Sequence, residues 1–183
     1  MSEEIEILLD VVTRLEAAGI VYMVTGSMAL AVYATPRMTR DIDIVIHLSV
    51  ADVEKILTAF SVDYYVDPET VRDAIRRQTM FNLINLTTFM KIDFIVRKDE
   101  AYREEEFTNR QQVIIDGKTI WVVAPEDLIL SKLVWAKDAA SELQFRDVQQ
   151  LINRSEKVDL TYLRQWATHL GVGDLLEKAL NHA

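Results

Sequence analysis

The sequence predicts an α/β fold in which a mixed β-sheet is flanked by helices and followed by a C-terminal helical bundle. Three observations carry this prediction. Helical and strand-like hydrophobic patterns alternate over residues 3–78, two hairpin-like segments follow between residues 81 and 124, and helical periodicity alone remains after Pro125. This succession is typical of a sheet covered by helices, with a further helical part packed beside it.

The first elements alternate between helix and strand. Apolar residues recur every three or four positions over residues 3–18, which predicts an amphipathic helix that ends at Gly19. Residues 20–25 are apolar and β-branched and predict a buried strand, and a short helix follows until Pro36. Residues 41–48, DIDIVIHL, alternate at first and then become apolar throughout, as a central strand does.

The middle and the end of the chain divide into strands and then helices. Residues 81–86 and 89–96 predict two strands joined at Thr87-Thr88, and residues 111–124 predict a second hairpin that turns at Asp116-Gly117. We therefore expect a core over residues 1–124 and a helical part over 125–183 packed on it. Helices are predicted at 50–60, 69–78, 125–138, 141–154, 159–170 and 173–182, with a short extended segment at 62–66.

Composition excludes several classes of function. The 183 residues contain no cysteine, which excludes disulfides and thiolate zinc sites, and the three histidines are widely scattered. A bound metal would need oxygen ligands, which favour Mg²⁺ or Mn²⁺. The net charge of -9 argues against a surface that binds nucleic acid by charge alone. The acidic start and the lack of a long apolar run predict a cytoplasmic protein with no membrane partner.

Three carboxylates are the candidate metal ligands. Asp41 and Asp43 lie two apart in a strand and so share one face, where their charges repel unless a cation lies between them. Asp93 is an isolated charge in a second apolar strand. Carboxylates from two neighbouring strands could hold two divalent ions for displacement at phosphorus. The alternative is a solvated acidic edge strand, or one neutralised by Arg37 and Arg40.

Gly26-Ser27, between the first strand and the next helix, is a candidate phosphate-binding turn. Glycine allows the backbone to approach a phosphate, and the serine hydroxyl and the helix N–H groups can donate to it. The alternative is that Gly26 is only a turn residue and Ser27 an N-cap.

Taken together, these motifs resemble the DNA polymerase β-like nucleotidyltransferase superfamily. The resemblance is carried by Thr25-Gly26-Ser27, by Asp41-Ile42-Asp43-Ile44 after a short interval, and by the distant Ile92-Asp93-Phe94. The segment GSMALAVYATPRMTRDIDIVI, with PEDLILSKLVWAK and FRDVQQLI downstream, resembles small prokaryotic members related to AbiEii toxins. The resemblance covers roughly residues 18–155 and implies a nucleotidyltransferase-type sheet.

The resemblance also implies roles for individual residues. Gly26 and Ser27 would contact the nucleotide phosphates, while Asp41, Asp43 and Asp93 would hold Mg²⁺ or Mn²⁺. Asp93 would in addition accept the proton of the acceptor hydroxyl. The remaining implied residues are Lys132, which would neutralise the triphosphate, Asp147, which would orient the site, and Arg37 and Arg40, which would guide phosphate.

Each of these further residues has an alternative interpretation. Lys132 could be a solvated helix lysine, and Asp147 could be a surface partner of Arg146 or of Lys132. Trp121 and Trp135 are expected in the core rather than as base-stacking residues.

The implied activity is transfer of a nucleoside monophosphate from an NTP such as ATP to a hydroxyl group of a tRNA, a protein or a small molecule. The toxin-like resemblance further implies an antitoxin partner. The alternative is a non-catalytic nucleotide-sensing or partner-binding module on the same fold. The presence of Asp41, Asp43 and Asp93 together favours the enzyme.

Overall fold

A computed structural model describes residues 2–36, 39, 41–154 and 158–181. Its strands are β1 (Val21–Val24), β2 (Asp41–His47), β3 (Tyr64–Tyr65), β4 (Met80–Asn85), β5 (Lys91–Val96), β6 (Gln111–Ile115) and β7 (Lys118–Val122). Its helices are α1 (Glu3–Ala17), α2 (Gly26–Tyr33), α3 (Val53–Phe60), α4 (Pro68–Arg77), α5 (Ala101–Thr108), α6 (Pro125–Asp138), α7 (Glu142–Arg154), α8 (Leu160–His169) and α9 (Gly173–Leu180).

Across the described residues, the strands form one mixed sheet in the order β3-β4-β5-β2-β1-β7-β6. The β2–β5 and β1–β7 pairs are parallel, and the other neighbouring pairs are antiparallel. The mixed α/β fold predicted from the sequence is confirmed. Because β2 lies between β5 and β1, the interpretation of residues 41–48 as an acidic edge strand is wrong.

One face of the central strands forms a hydrophobic core with α1 and α3. Ile42, Ile44 and Ile46 of β2 are fully buried on this face. Phe94 of β5 packs edge-on against Phe60 of α3, with ring centroids 5.6 Å apart. Since side chains alternate along a strand, Asp41, Asp43 and Asp93 are directed to the opposite face, away from this core.

The opposite face is covered by α2, α5 and the start of the C-terminal helices. Tyr33 of α2 donates from its Oη to the Val123 carbonyl oxygen at 2.8 Å, which ties α2 to the end of β7. Leu128, Ile129 and Leu133 of α6 are buried in the same continuous hydrophobic cluster as the sheet. Within the described part of the chain, no helix is long and apolar enough to cross a membrane.

The predicted helices and strands agree with the structure to within a few residues, with one omission. Helix α5 has no counterpart in the sequence prediction. Only Tyr102 and Phe107 supply apolar anchors, and the buried Glu106 is held by Arg103 of its own helix and by Ser131 of α6. The local hydrophobic pattern therefore carries little helical signal. The start of the predicted helix 50–60 is a short 3-10 turn, Val50–Asp52, before α3.

Candidate active site

Asp43 and Asp93 occupy directly opposite positions on two parallel strands. The register between β2 and β5 pairs Asp43 with Asp93 and Asp41 with Lys91. Neighbouring strands lie about 4.8 Å apart, so these side chains are close neighbours on one face. Asp43 and Asp93 are 7% and 4% exposed. The predicted pairing of the Asp93 strand beside the Asp41–Asp43 strand is confirmed.

The electrostatic environment of Asp43 favours a bound cation. The pKa of Asp43 is raised to about 6, chiefly by burial and in addition by the nearby negative charges of Asp41 and Asp93. Lys132 and Lys91 act in the opposite direction on the same pKa. An ionised carboxylate in this position is destabilised by burial and by like charges, and a divalent ion would relieve both effects.

The carboxylates hold different partners in the described residues. Thr39 Oγ1 donates to Asp41 Oδ1 at 2.7 Å, and Lys91 Nζ lies 2.8 Å from Asp93 Oδ2. Hydrogen bonding to Asp93 raises the pKa of Lys91. The other oxygen, Asp93 Oδ1, is buried and has no hydrogen-bond partner among the described residues. A buried, unsatisfied carboxylate oxygen is costly in a stable fold and is suited to a ligand.

Asp41, Asp43 and Asp93 offer carboxylate oxygens, which are the ligands that hard divalent ions such as Mg²⁺ and Mn²⁺ prefer. In the described residues, no three His, Cys, Asp or Glu side chains already converge as a metal-binding group. Thr39 and Lys91 hold one oxygen each of Asp41 and Asp93. Asp93 Oδ1 can contact an ion without losing a partner, whereas ion binding by the oxygens that Thr39 and Lys91 hold would require those oxygens to exchange their present partners for the ion.

Gly26 brings the start of α2 against Asp43. Gly26 has φ +63°, and a Cβ atom at this position would overlap the Asp43 carboxylate. The Thr25 N–H also donates to the Asp43 carbonyl oxygen at 3.0 Å. The N-cap position of α2 belongs to Thr25, so the interpretation of Ser27 as an N-cap is wrong. Ser27 is buried in the first turn, beside the carboxylates.

Lys132 and Asp147 form a buried ion pair between α6 and α7. Lys132 Nζ lies 2.8 Å from Asp147 Oδ2, and their side chains are 5% and 2% exposed. Gln144 Oε1 also accepts from Lys132 Nζ at 3.0 Å. The interpretation of Lys132 as a solvated helix lysine is therefore wrong. Of the two partners considered for Asp147, Lys132 is the one that the structure shows, whereas Arg146 pairs with Glu142.

A cavity of about 410 Å³ lies beside Asp43 and Lys132. Gly26, Ser27 and Gln144 also line it. Arg37 and Arg40, the predicted phosphate guides, lie outside the described residues.

Sequence reasoning missed the α5 side of the cavity. Arg103 and Glu106 line it, and Arg103 Nη1 lies 2.8 Å from both Glu106 Oε2 and Ser131 Oγ. The pairing is a product of tertiary structure, because Ser131 belongs to α6. The only signal in the sequence is the spacing of Arg103 and Glu106, which places opposite charges on one face of a helix.

The two tryptophans differ from each other. Trp121 is partly buried against the core, and the Arg110 guanidinium lies over its ring at 4.7 Å. Trp135 is 46% exposed and lines the cavity, so its expected place in the core is wrong. The reason is that α6 has core-facing residues on the side turned away from Trp135, including Ile129 and Leu133.

Comparison with known families identifies the class of enzyme. The family model described as "Nucleotidyltransferase of unknown function (DUF6036)" matches residues 1–172. The chain therefore belongs to this family and is a nucleotidyltransferase, which favours the enzyme over the non-catalytic alternative. No curated protein matches the sequence significantly.

Solved structures share the fold at low sequence identity. An antigenic nucleotidyltransferase-like protein from Paracoccidioides brasiliensis has a TM-score of 0.60 and 18% identity, over 98% of this chain and 93% of that one. The antibiotic-resistance factor ANT(2")-Ia, in complex with adenylyl-2"-tobramycin, has a TM-score of 0.60 and 11% identity, over 98% of this chain and 97% of that one. The lincosamide antibiotic adenylyltransferase LnuA, bound to lincomycin, has a TM-score of 0.57 and 14% identity, over 85% and 98%.

Proposed function

We propose that the protein is a metal-dependent nucleotidyltransferase that transfers a nucleoside monophosphate, with ATP as the expected donor, to a hydroxyl group. The observation that carries the proposal is the register of β2 and β5, which sets buried Asp43 beside buried Asp93. The start of α2 lies against the Asp43 carboxylate, and the buried Lys132 lines the same cavity as Asp43.

In this proposal, Asp41, Asp43 and Asp93 hold Mg²⁺ or Mn²⁺. When bound, such ions lower the pKa of an attacking hydroxyl and neutralise charge on the transferred phosphate. The acceptor oxygen forms a bond to the α-phosphorus, the bond from this phosphorus to the β-phosphate oxygen breaks, and pyrophosphate leaves. The unpartnered oxygen of Asp93 accepts the proton of the hydroxyl, because it is buried and accepts no hydrogen bond from a described protein group.

The phosphate chain lies at the start of α2 and against Lys132. The N–H groups of the first turn of a helix point outward and carry a partial positive charge, which suits an anion. Ser27 can donate from its hydroxyl at the same place. Lys132 supplies the positive charge for the departing pyrophosphate, and Asp147 and Gln144 fix the position of its ammonium group.

The acceptor belongs to one of three classes: a tRNA, a protein or a small molecule. The fold shared with ANT(2")-Ia and LnuA makes hydroxylated antibiotics one set to test. The motif resemblance to AbiEii-type toxins makes tRNA and protein acceptors the other set, together with an antitoxin partner and a cytoplasmic location. Growth arrest on expression, relieved by Asp41→Ala, would support the toxin role, and normal growth would count against it.

The experiment that tests the activity combines each radiolabelled NTP with Mg²⁺ and, in turn, total RNA, a protein extract, and aminoglycosides and lincosamides. We expect label transfer from at least one combination, dependent on Mg²⁺ or Mn²⁺. Asp43→Asn keeps the shape of the side chain but removes its charge, and it should abolish transfer. Its thermal midpoint at pH 7 should equal or exceed that of the wild type, because the variant removes a destabilised buried charge. Equal transfer by both proteins would refute the metal site.

A second pair of variants separates the roles of Asp93 and Asp147. Asp93→Asn should lower the rate by about 10²–10⁴-fold or more, because it removes the proton acceptor and a metal ligand together. Its residual rate should depend steeply on Mg²⁺ concentration. Asp147→Asn should lower the rate with unchanged metal dependence, since Asp147 contacts Lys132. The reverse pattern of metal dependence would overturn the assignment.

A further inference from the structure

Trp135 presents an aromatic ring to the cavity. The side chain is 46% exposed on α6, a helix whose other large apolar residues, such as Leu130 and Leu133, are fully buried. Trp166 stacks near Tyr102 and His169, and Trp121 lies under Arg110. Over the part of the chain that the structure describes, no other ring or cation contacts the Trp135 indole.

Trp135 lies one helical turn from Lys132 on α6. Lys132 and Trp135 are three residues apart on α6, so they share a helix face and are separated by roughly 4.5 Å along the axis. Both line the cavity. Leu128, Val134 and Leu170 also line the cavity, together with Ser131 and Asp138 of α6. One cavity therefore contains a buried lysine and, one helical turn away, an exposed indole ring.

A lysine and an exposed indole in one cavity match a mononucleotide, which has charged phosphates at one end and a flat base at the other. With phosphates at Gly26 and Lys132, the base would lie one helical turn along α6, beside the indole. The acceptor hydroxyl has to reach Asp93 of β5, whereas the described lining of this cavity contains Lys132 and Trp135 of α6 but not Asp93. We therefore assign the wall carried by α6 to the donor nucleotide.

We propose that Trp135 stacks on the base of the donor NTP and thereby gives the enzyme a preference for purine nucleotides. The proposal rests on the proposed function, because it requires an NTP with its phosphates beside Lys132. Stacking on an aromatic side chain tolerates every base, since each has a π-face. Purines gain more from it because their two fused rings cover more of the indole. Trp135 is thus a specificity-determining residue that contacts the donor, away from the reacting atoms.

The test measures binding by calorimetry, with Mg²⁺ present, for ATP, UTP and inorganic tripolyphosphate. The variants are Trp135→Phe, Trp135→Leu and, as a matched control away from the cavity, Trp121→Leu. We expect Trp135→Leu to weaken ATP binding roughly tenfold, within the range measured for loss of a base–aromatic contact, and UTP binding less. Tripolyphosphate affinity should not change, because this ligand has no base. Trp135→Phe should retain most of the ATP affinity, and Trp121→Leu all of it.

The outcomes separate this proposal from the proposed function. If the wild-type protein binds tripolyphosphate and ATP equally well, the base makes no contact and the stacking proposal is refuted alone. The same conclusion follows if Trp135→Leu leaves the ATP-to-UTP affinity ratio unchanged, or if it weakens tripolyphosphate as much as ATP. If the wild-type protein binds none of the three ligands, the proposed function fails together with the stacking proposal.

Discussion

Gly26 leaves room for the Asp43 carboxylate because it has no side chain. A methyl group here would overlap the Asp43 carboxylate, and the backbone has φ +63°, which L side chains rarely adopt. Two constraints therefore act on the same residue, one from the backbone and one from its neighbour. They can be separated because Gly19 has a similar φ of +67° and nothing within 4 Å of a Cβ atom.

We expect Gly19→Ala to lower the free energy of unfolding by about 1–2 kcal/mol, the cost of a left-handed residue with a side chain. Gly26→Ala should cost about 1–3 kcal/mol more, because the methyl group displaces Asp43. It should also reduce transfer by at least 100-fold, a consequence of misplaced reacting groups. Urea unfolding and rate measurements on both variants test this. Equal losses of stability with full activity in Gly26→Ala would contradict the close approach.

The ion pair of Lys132 and Asp147 illustrates what a sequence leaves undetermined at this scale. The residue types and their order along the chain identify the candidates. Whether the lysine is solvated or buried depends on α7 lying across α6, a tertiary contact that no local pattern records. The same holds for Trp135, since α6 is apolar on more than one side and periodicity alone does not choose the side that faces the core.

At the scale of secondary-structure elements, the β4–β5 hairpin contains an unfavourable residue. Phe89, in the turn after β4, has φ +59° and is 78% exposed. A bulky side chain with positive φ is strained. Its exposure means that little burial energy offsets the strain.

We expect Phe89→Gly to raise the free energy of unfolding by about 1 kcal/mol, because relief of the strain exceeds the entropy that glycine costs in the unfolded chain. Leu86→Gly, in the same turn and 53% exposed, is the control without positive φ. It should destabilise the protein by about 0.5–1 kcal/mol. Chemical denaturation provides the comparison, and a loss of stability in Phe89→Gly would show that the side chain makes a stabilising contact.

The contact between α6, α8 and the end of α5 contains one buried carboxyl group, that of Asp127. Tyr162 Oη donates to Asp127 Oδ1 at 2.7 Å, and Asn109 Nδ2 donates to Oδ2 at 3.3 Å. Burial raises the pKa of Asp127 to about 6, and the charge of Glu106 acts in the same direction. The folded state therefore prefers the protonated carboxyl, so this residue's contribution to stability is greatest near pH 4 and is lost as the pH rises to 6.

We expect Asp127→Asn to raise the free energy of unfolding at pH 7 by about 3 kcal/mol, the cost of ionising a carboxyl whose pKa is raised from 3.8 to about 6. Near pH 4 the difference from the wild type should almost vanish. Asp52 is the control of opposite sign: bonding to Lys55 and Ser49 lowers its pKa to about 2, so Asp52→Asn should destabilise the protein at pH 7. A pH-independent effect of Asp127→Asn would contradict the raised pKa.

The two β-hairpins and most helices were predictable because turn residues and hydrophobic periods are local signals. Helix α5 was not predictable, because its buried face includes the charged residue Glu106, which is stabilised there by Arg103 and Ser131. The order of the strands was also beyond local signals. The parallel pairing of β1 with β7 joins segments far apart in sequence, and only the packed sheet determines it.

At the scale of the whole molecule, the sheet and the C-terminal helices share one hydrophobic core. Leu128 and Leu133 of α6, Leu151 of α7 and Leu163 of α8 belong to the same buried cluster as Ile44 of β2. The division at residue 124 predicted from the sequence is therefore crossed by continuous packing. A part that lacked the other would expose a large apolar surface to water.

We expect the chain to unfold in one cooperative transition. Single-tryptophan variants test this, because Trp121 lies on β7 and Trp166 on α8, one in each part. Their fluorescence should report the same denaturation midpoint and the same slope. Two separate midpoints would show that the helical part unfolds independently of the sheet.

The buried pair of Lys132 and Asp147 also has a consequence during protein synthesis. The three aspartates emerge from the ribosome first, while the lysine and its partner lie 39 and 54 residues after Asp93. At roughly 5–20 residues per second, about 3–11 s pass between the translation of Asp93 and that of Asp147, the residue that pairs with Lys132. During this interval the chain lacks the cation that the proposed reaction needs at the pyrophosphate. Activity would then begin only after Asp147 has been translated and α7 has packed on α6, so the growing chain would be inert until that point.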